Sequence, residues 1–122
     1  MTNPDQRLRR NQRLTQTRSF RETFEQGRKW VGTYMVLWLR EGEGASLRLG
    51  VVASRKVGNA VQRARAKRRL REAFRLNRGQ FSGPYDVVLV ARRNVLKASW
   101  DDVVEELVTL GEKAGLLNRD ME

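Results

Sequence analysis

The chain has 122 residues, with 25 Lys or Arg against 14 Asp or Glu and a formal net charge of +11. That length predicts a single domain, residues 1–122, with one modest core, and the charge points to a polyanionic partner. Cys and His are both absent, which excludes disulfides, thiolate metal sites, a Cys nucleophile and the commonest general base.

Residues 1–16 are polar and basic, with Arg7, Arg9, Arg10 and Arg13. They read as a flexible arm, either a solubilising tail or a segment that orders on a nucleic-acid backbone. They lack the apolar stretch of a signal peptide. No run in the chain approaches the roughly 18 apolar residues of a membrane span, so the expected compartment is the cytoplasm. Ser19-Phe20-Arg21-Glu22 has the form of a capping box, with Ser19 as N-cap. Phe20 and Phe24 share one face of the short helix that follows, and Gly27 suits its stop. Two Phe at that spacing ordinarily anchor a core.

Thr33 to Arg40 is rich in strand formers. Tyr34, Val36 and Trp38 alternate with Met35, Leu37 and Leu39, so both faces are apolar. One should meet a helix, leaving the other as a partly open aromatic surface. Glu41-Gly42-Glu43-Gly44 reads as a turn. Ser46 to Ser54 is then expected as the paired antiparallel strand, with Leu47, Leu49, Val51 and Ala53 on one face. An additional short strand is expected around Trp30.

Arg55 to Gly58 links strand to helix, with Gly58 for the tight turn and Asn59 as N-cap. Backbone NH groups there, beside Arg55 and Lys56, suit a phosphate. On a helix from Asn59 to Asn77, residues Ala66, Leu70, Ala73, Phe74 and Asn77 fall on one narrow face. Lys67, Arg71, Arg75 and Arg78 form a ridge elsewhere, with Arg68 at its edge. Residues 55–78 contain ten basic side chains and one acid, Glu72. Solvated helix faces ordinarily mix the two signs, since like charges repel at i,i+4. A one-sign ridge is the footprint of a polyanion, although a solvated basic face is the plain alternative.

Asn77 to Pro84 breaks the helix. Tyr85 to Ala91 is a continuous apolar run typical of a central strand. Ser99 to Asp102 opens a last helix, with Val103, Val104, Leu107, Val108 and Leu110 as its buried stripe. Asp101, Asp102, Glu105 and Glu106 cluster in its early turns. Paired carboxylates can hold Mg²⁺, but acids early in a helix also favour its dipole, and no metal site is assigned there. Residues 99–122 hold seven acids and two bases, so charge separates a basic binding face from an acidic end. The order α-β-β-(β)-α-β-α predicts a two-layer α+β sandwich containing a βαβ crossover. The general rule makes such crossovers right-handed.

The stretch from Gly50 to Val61, GVVASRKVGNAV, followed by Arg63-Ala64-Arg65-Ala66-Lys67-Arg68-Arg69-Leu70-Arg71-Glu72-Ala73-Phe74-Arg75, resembles the signature of the bacterial ribonuclease P protein component. That family shows a strand ending in Ser, then Lys-Lys-hydrophobic-Gly, then Ala-Val and an Arg-Asn-Arg helix. The resemblance is close over about 25 residues and weaker over most of the rest, through the Phe-x-x-x-Phe, the Asp-led apolar strand and the last helix. One departure is Arg63-Ala64-Arg65, where the family's Asn is replaced by Ala64. The charges survive and the side-chain amide does not.

The resemblance implies a left-handed crossover. It also implies a ribonucleoprotein whose RNA subunit performs Mg²⁺-dependent removal of the 5′ leader of precursor tRNA, with Mg²⁺ held mainly by that RNA. The protein would bind the RNA subunit and the leader, with no membrane and no protein partner required. On this reading Arg55, Lys56, Asn59, Arg63, Arg65, Lys67, Arg68, Arg71 and Arg75 contact RNA. Phe20, Phe24, Tyr34, Val36 and Trp38 shape a leader cleft, where aromatic faces suit unstacked bases. No catalytic residue is expected in the protein, since the sequence holds no side-chain set able to hydrolyse a phosphodiester alone. The alternative is a non-enzymatic structured-RNA binder such as a ribosomal protein. A DNA-binding helix module fits less well, because a strand rather than a helix precedes the basic helix.

Overall fold

In the computed structural model, residues 12–15 and 17–117 are described. The order is α1 (Thr17–Gln26), β1 (Lys29–Val31), β2 (Met35–Glu41), β3 (Leu49–Val52), α2 (Ala60–Asn77), β4 (Tyr85–Ala91) and α3 (Trp100–Lys113). Short 3₁₀ turns at Arg78–Gln80 and Arg93–Leu96 flank β4. The four strands form one sheet in the order β1-β2-β4-β3. The short strand expected around Trp30 is β1.

One expectation fails here. β2 and β3 are not a hairpin. β4 lies between them, antiparallel to β2 and parallel to β3. Asp86 on β4 ties down the chain that enters β3. Its Oδ1 accepts hydrogen bonds from the backbone NH of Ser46 (3.2 Å) and of Arg48 (3.1 Å). The chain entering β3 is thereby held against β4, with Leu47 at a φ of 62°. Leu47 is buried, but this left-handed turn takes it out of the strand.

The register sorts side chains to two faces. Leu37 stands opposite Leu89, and Val51 opposite Leu89 on its other side. Met35, Leu37, Leu39, Leu49, Val87, Leu89 and Ala91 join one core cluster with Ala66, Leu70, Ala73 and Phe74 of α2 and Val103, Leu107 and Leu110 of α3. Each fully buried aliphatic side chain contributes about 1.5–3 kcal/mol. The anticipated apolar face of α2 is the buried one. Its single polar member, Asn77, turns its amide back to the Ala73 carbonyl (2.8 Å). Phe74 stacks on Phe81 at 5.5 Å, and Phe81 in turn fills the space over buried Gly111 of α3.

α1 packs on the opposite face, against β2. The proposed capping box is not formed. Ser19 is buried inside the helix, where its carbonyl accepts from Thr23 Oγ1 at 2.7 Å. Glu22 is directed to Arg18 and Arg40 instead. Gly27, with φ at 66°, ends the helix as anticipated. The Gln26 amide then exchanges two hydrogen bonds with the backbone of Glu41, each 2.8 Å, pinning α1 to the end of β2. α2 begins as anticipated: Asn59 and Gln62 form a reciprocal capping box. Ser99 caps α3 by accepting from the NH of Asp102.

Candidate nucleic-acid interface

Two surfaces collect the residues singled out in the sequence. The first is the sheet face under α1. Register places Val36 beside Val90, Trp38 beside Val88, and Gly50 and Val52 on the far side of these two β4 residues. Val88 is buried, while Val36, Trp38, Val52 and Val90 are partly exposed. Phe24 is 40% exposed and meets Trp38 edge-on, with centroids 5.0 Å apart at 88°. The Lys29 ammonium stands 5.2 Å from the centroid of the Trp38 ring. Phe20 reaches Gly50, where an added Cβ would lie 2.5 Å from its ring. The result is an apolar floor bounded by two Phe rings and a cation.

Tyr34 stands apart from this group. It precedes β2 and lines a groove with α3 residues such as Glu106, Thr109 and Lys113. Glu106 holds that turn: its carboxylate accepts from the backbone NH groups of Thr33, Tyr34 (2.7 Å) and Met35 (3.1 Å). That carboxylate is engaged with backbone, and among the described residues no cluster of three or more acids suits a metal ion.

The second surface is α2. Arg65 and Arg68 are exposed, while Arg63, Lys67 and Arg71 are partly buried. Arg63 donates to the Gly58 carbonyl at 3.3 Å, bracing the helix start. Arg55, Lys56 and Asn59 are exposed at that start, with the side-chain oxygen of Asn59 committed to its cap. Arg75 pairs with Glu72 at 2.7 Å, which lowers the Glu72 pKa through their hydrogen bond. Arg78 tucks under the sheet toward the Leu47 carbonyl (3.3 Å), and desolvation lowers its pKa. Arg69 donates to the Val95 carbonyl at 2.6 Å. Arg69, Arg75 and Arg78 thus serve the fold as well as the charge.

The two surfaces meet at the edge strand β3. Phe20 of α1 and Arg71 of α2 come from opposite faces of the sheet, yet both line one groove with Arg13, Leu14, Gly50 and Val51. Leu14 is buried, and its NH donates to the Leu49 carbonyl at 2.8 Å. The end of the basic arm therefore runs along β3. Arg7, Arg9 and Arg10 lie outside the described residues.

A buried charge network fixes α1 over this face. Asp86 is fully buried and receives Arg40 Nη1 at 2.9 Å and Arg48 Nη2 at 2.8 Å. Arg40 also donates to Glu22 at 2.8 Å and to the Glu43 carbonyl at 2.9 Å. Burial pushes the Asp86 carboxyl up, but the Arg48 and backbone hydrogen bonds outweigh it and hold the pKa below its ordinary value. The Arg40 hydrogen bond likewise holds Glu22 low.

The ribonuclease P family model matches residues 8–115 of this chain. The chain belongs to the ribonuclease P protein family. It is 33% identical over 108 residues to the ribonuclease P protein component of Syntrophomonas wolfei, covering 88% of this chain and 91% of that one. It is 36% identical over 111 residues to that of Chloroflexus aurantiacus, covering 90% and 82%. Among solved structures, the ribonuclease P protein of Thermotoga maritima superposes with a TM-score of 0.73 at 31% identity, over 83% of this chain and 96% of that one. The Staphylococcus aureus protein shares the fold, with a TM-score of 0.75 at 23% identity over 88% and 98%. As a ribonuclease P protein, the chain is a subunit of the tRNA 5′-processing endoribonuclease holoenzyme, in which it has an RNA partner. Among the described residues no helix is long and apolar enough to cross a membrane.

Lys29, Val52, Val88 and Val90, which the sequence did not single out, also belong to the sheet face under α1. The signal for the β4 pair was present: a central strand with two apolar faces must offer its second face to something. Lys29 sits on a strand of three residues, too short to show a period.

Proposed function

We propose that α2 binds the catalytic RNA subunit and that the sheet face under α1 receives the single-stranded 5′ leader of precursor tRNA. Arg55, Lys56, Asn59, Arg63, Arg65, Lys67, Arg68, Arg71 and Arg75 contact RNA, and Phe20, Phe24, Val36 and Trp38 form the cleft. Tyr34, which lines the separate groove with α3, is left outside the cleft. The observation that carries this reading is the groove shared by Phe20 and Arg71, where an apolar wall and a cation flank the same strand. An extended strand offers bases on one side and phosphates on the other, and that pairing suits both.

Hydrolysis and its Mg²⁺ are assigned to the RNA. Among the described residues no group of three or more potential metal ligands is formed, and Glu106 of α3 is committed to three backbone NH groups. The protein supplies binding and orientation, with the compartment that of tRNA processing, the cytoplasm.

Reconstitution tests this. Adding the protein to a bacterial ribonuclease P RNA at low Mg²⁺ should restore cleavage of precursor tRNA at the leader junction. A protein that binds the RNA without stimulating cleavage would fit the structured-RNA binder instead.

A further inference from the structure

On the other side of the sheet from α1, a groove of about 470 Å³ runs between α2 and α3. Its lining is Arg65, Arg68, Arg69, Glu72, Leu96 and Trp100. Trp100 is 38% exposed, although it is a large aromatic side chain beside a packed core. Glu72, the single acid in the lining, is already paired with Arg75. Asp102, just past Trp100, lines the groove on the other side of α3. The site therefore presents an indole and three guanidinium groups, and its single carboxylate, Glu72, is hydrogen-bonded to Arg75. Along the same strip of α2, at i,i+4 spacing from Arg65 and Glu72, stand Val61 and Leu76, 69% and 45% exposed. Val61 and Leu76 thus bracket Arg65, Arg68 and Glu72 along the outer surface of the helix.

Packing does not explain this arrangement. A solvated helix face mixes acids and bases, whereas three Arg and one Glu line this groove, and a core Trp would be covered. An aromatic ring between arginines is the arrangement that takes an unpaired nucleobase on its face and the adjoining phosphates on the cations. We infer that the Trp100 groove is a second RNA site, which stacks an unpaired base of the RNA subunit on the indole while Arg65 and Arg68 hold the flanking phosphates. The RNA subunit rather than the leader is the occupant, because the groove lies on the opposite sheet face from Phe24 and Trp38. The inference rests on α2 binding that subunit.

The test titrates the full chain against a bacterial ribonuclease P RNA over a range of salt. Trp100→Ala should weaken binding about tenfold, within the range measured for loss of one base stack, and leave the salt slope unchanged. Trp100→Phe should stay within about twofold of the native chain, since the stacking face is kept. Arg68→Ala should lower the salt slope by about one. Native affinity in Trp100→Ala, with an unchanged melting temperature, would overturn the inference. So would equal losses in Trp100→Ala and Trp100→Phe. If Trp100→Ala melts early, a photo-crosslinking phenylalanine at position 100 decides. A crosslink to an unpaired nucleotide of the RNA supports the site, and no crosslink to that RNA overturns it. Failure of the native chain to bind the RNA at all would overturn the proposed function itself.

Discussion

The ring of Phe20 occupies the space that a side chain at position 50 would need. A Cβ on Gly50 would sit 2.5 Å from Phe20 Cζ and 3.4 Å from the Leu14 Cβ. Gly50→Ala should therefore displace the ring and cost about 1–3 kcal/mol, as overpacking does. Chemical denaturation of Gly50→Ala, Phe20→Ala and the double variant measures this. The double variant should be more stable than the two single effects summed, because removing the ring removes the clash. If Phe20 also walls the leader cleft, Phe20→Ala weakens precursor tRNA more than mature tRNA. Equal losses for both would place the ring outside the cleft.

Asp86 is buried between Arg40 and Arg48. Asp86→Asn keeps the shape and removes the charge, leaving two guanidinium groups in a poorly solvated place. The expected loss is about 3–5 kcal/mol, read from the denaturation midpoint.

The pH dependence follows from the same groups. Asp86, Glu22 and Glu72 all have depressed pKa values in the folded chain. The unfolded chain thus binds their protons first as pH falls. Their stabilisation is complete above the ordinary carboxylate range of about 3.9–4.3 and is lost as pH drops below that range through the folded values. Melting temperature should be insensitive to these groups at neutral pH and decline below about pH 4. Asp86→Asn should flatten that decline.

Binding to the RNA subunit should be strongly salt-dependent. If about six phosphates are neutralised, log affinity falls against log salt with a slope of roughly −4 to −5. Lys67→Ala and Arg71→Ala should each reduce the slope by about one. Arg75→Ala should reduce it less, since Glu72 already neutralises part of its charge. A salt-independent affinity would remove the electrostatic account.

Ala64 is exposed on α2, at about 280° on a wheel with Arg71 near 260° and Arg75 near 300°. Ala64→Asn gives up a few tenths of a kcal/mol of helix propensity. It also adds an amide able to donate and accept at RNA, worth about 0.5–1.5 kcal/mol. A slightly lower melting temperature with tighter RNA binding is expected. Unchanged affinity would mean that the RNA-facing ridge of α2 is rotated from this position.

The sequence by itself determined what depends on neighbours in the chain. α2 was legible from Asn59 to Asn77 because its cap, its buried face and its one-sign ridge all recur within a turn or two. Strand alternation likewise marked Trp38 as part of an apolar second face, whereas Phe24 read locally as a core anchor and was named for the cleft only through the family resemblance. Tertiary structure decided how the strands pair. Nothing within Leu49–Val52 states whether its neighbour is β2 or β4, since backbone hydrogen bonds serve any partner in register. Contacts distant in sequence accompany the choice: the Asp86 carboxylate accepts from the backbone of Ser46 and Arg48 across about 40 residues of chain. The same insertion of β4 brought Val88 and Val90 under α1 and set Gly50 against Phe20. The Trp100 groove likewise exists only once α3 packs beside α2. Its indole and arginines lie more than 30 residues apart in the chain, and no local periodicity links them.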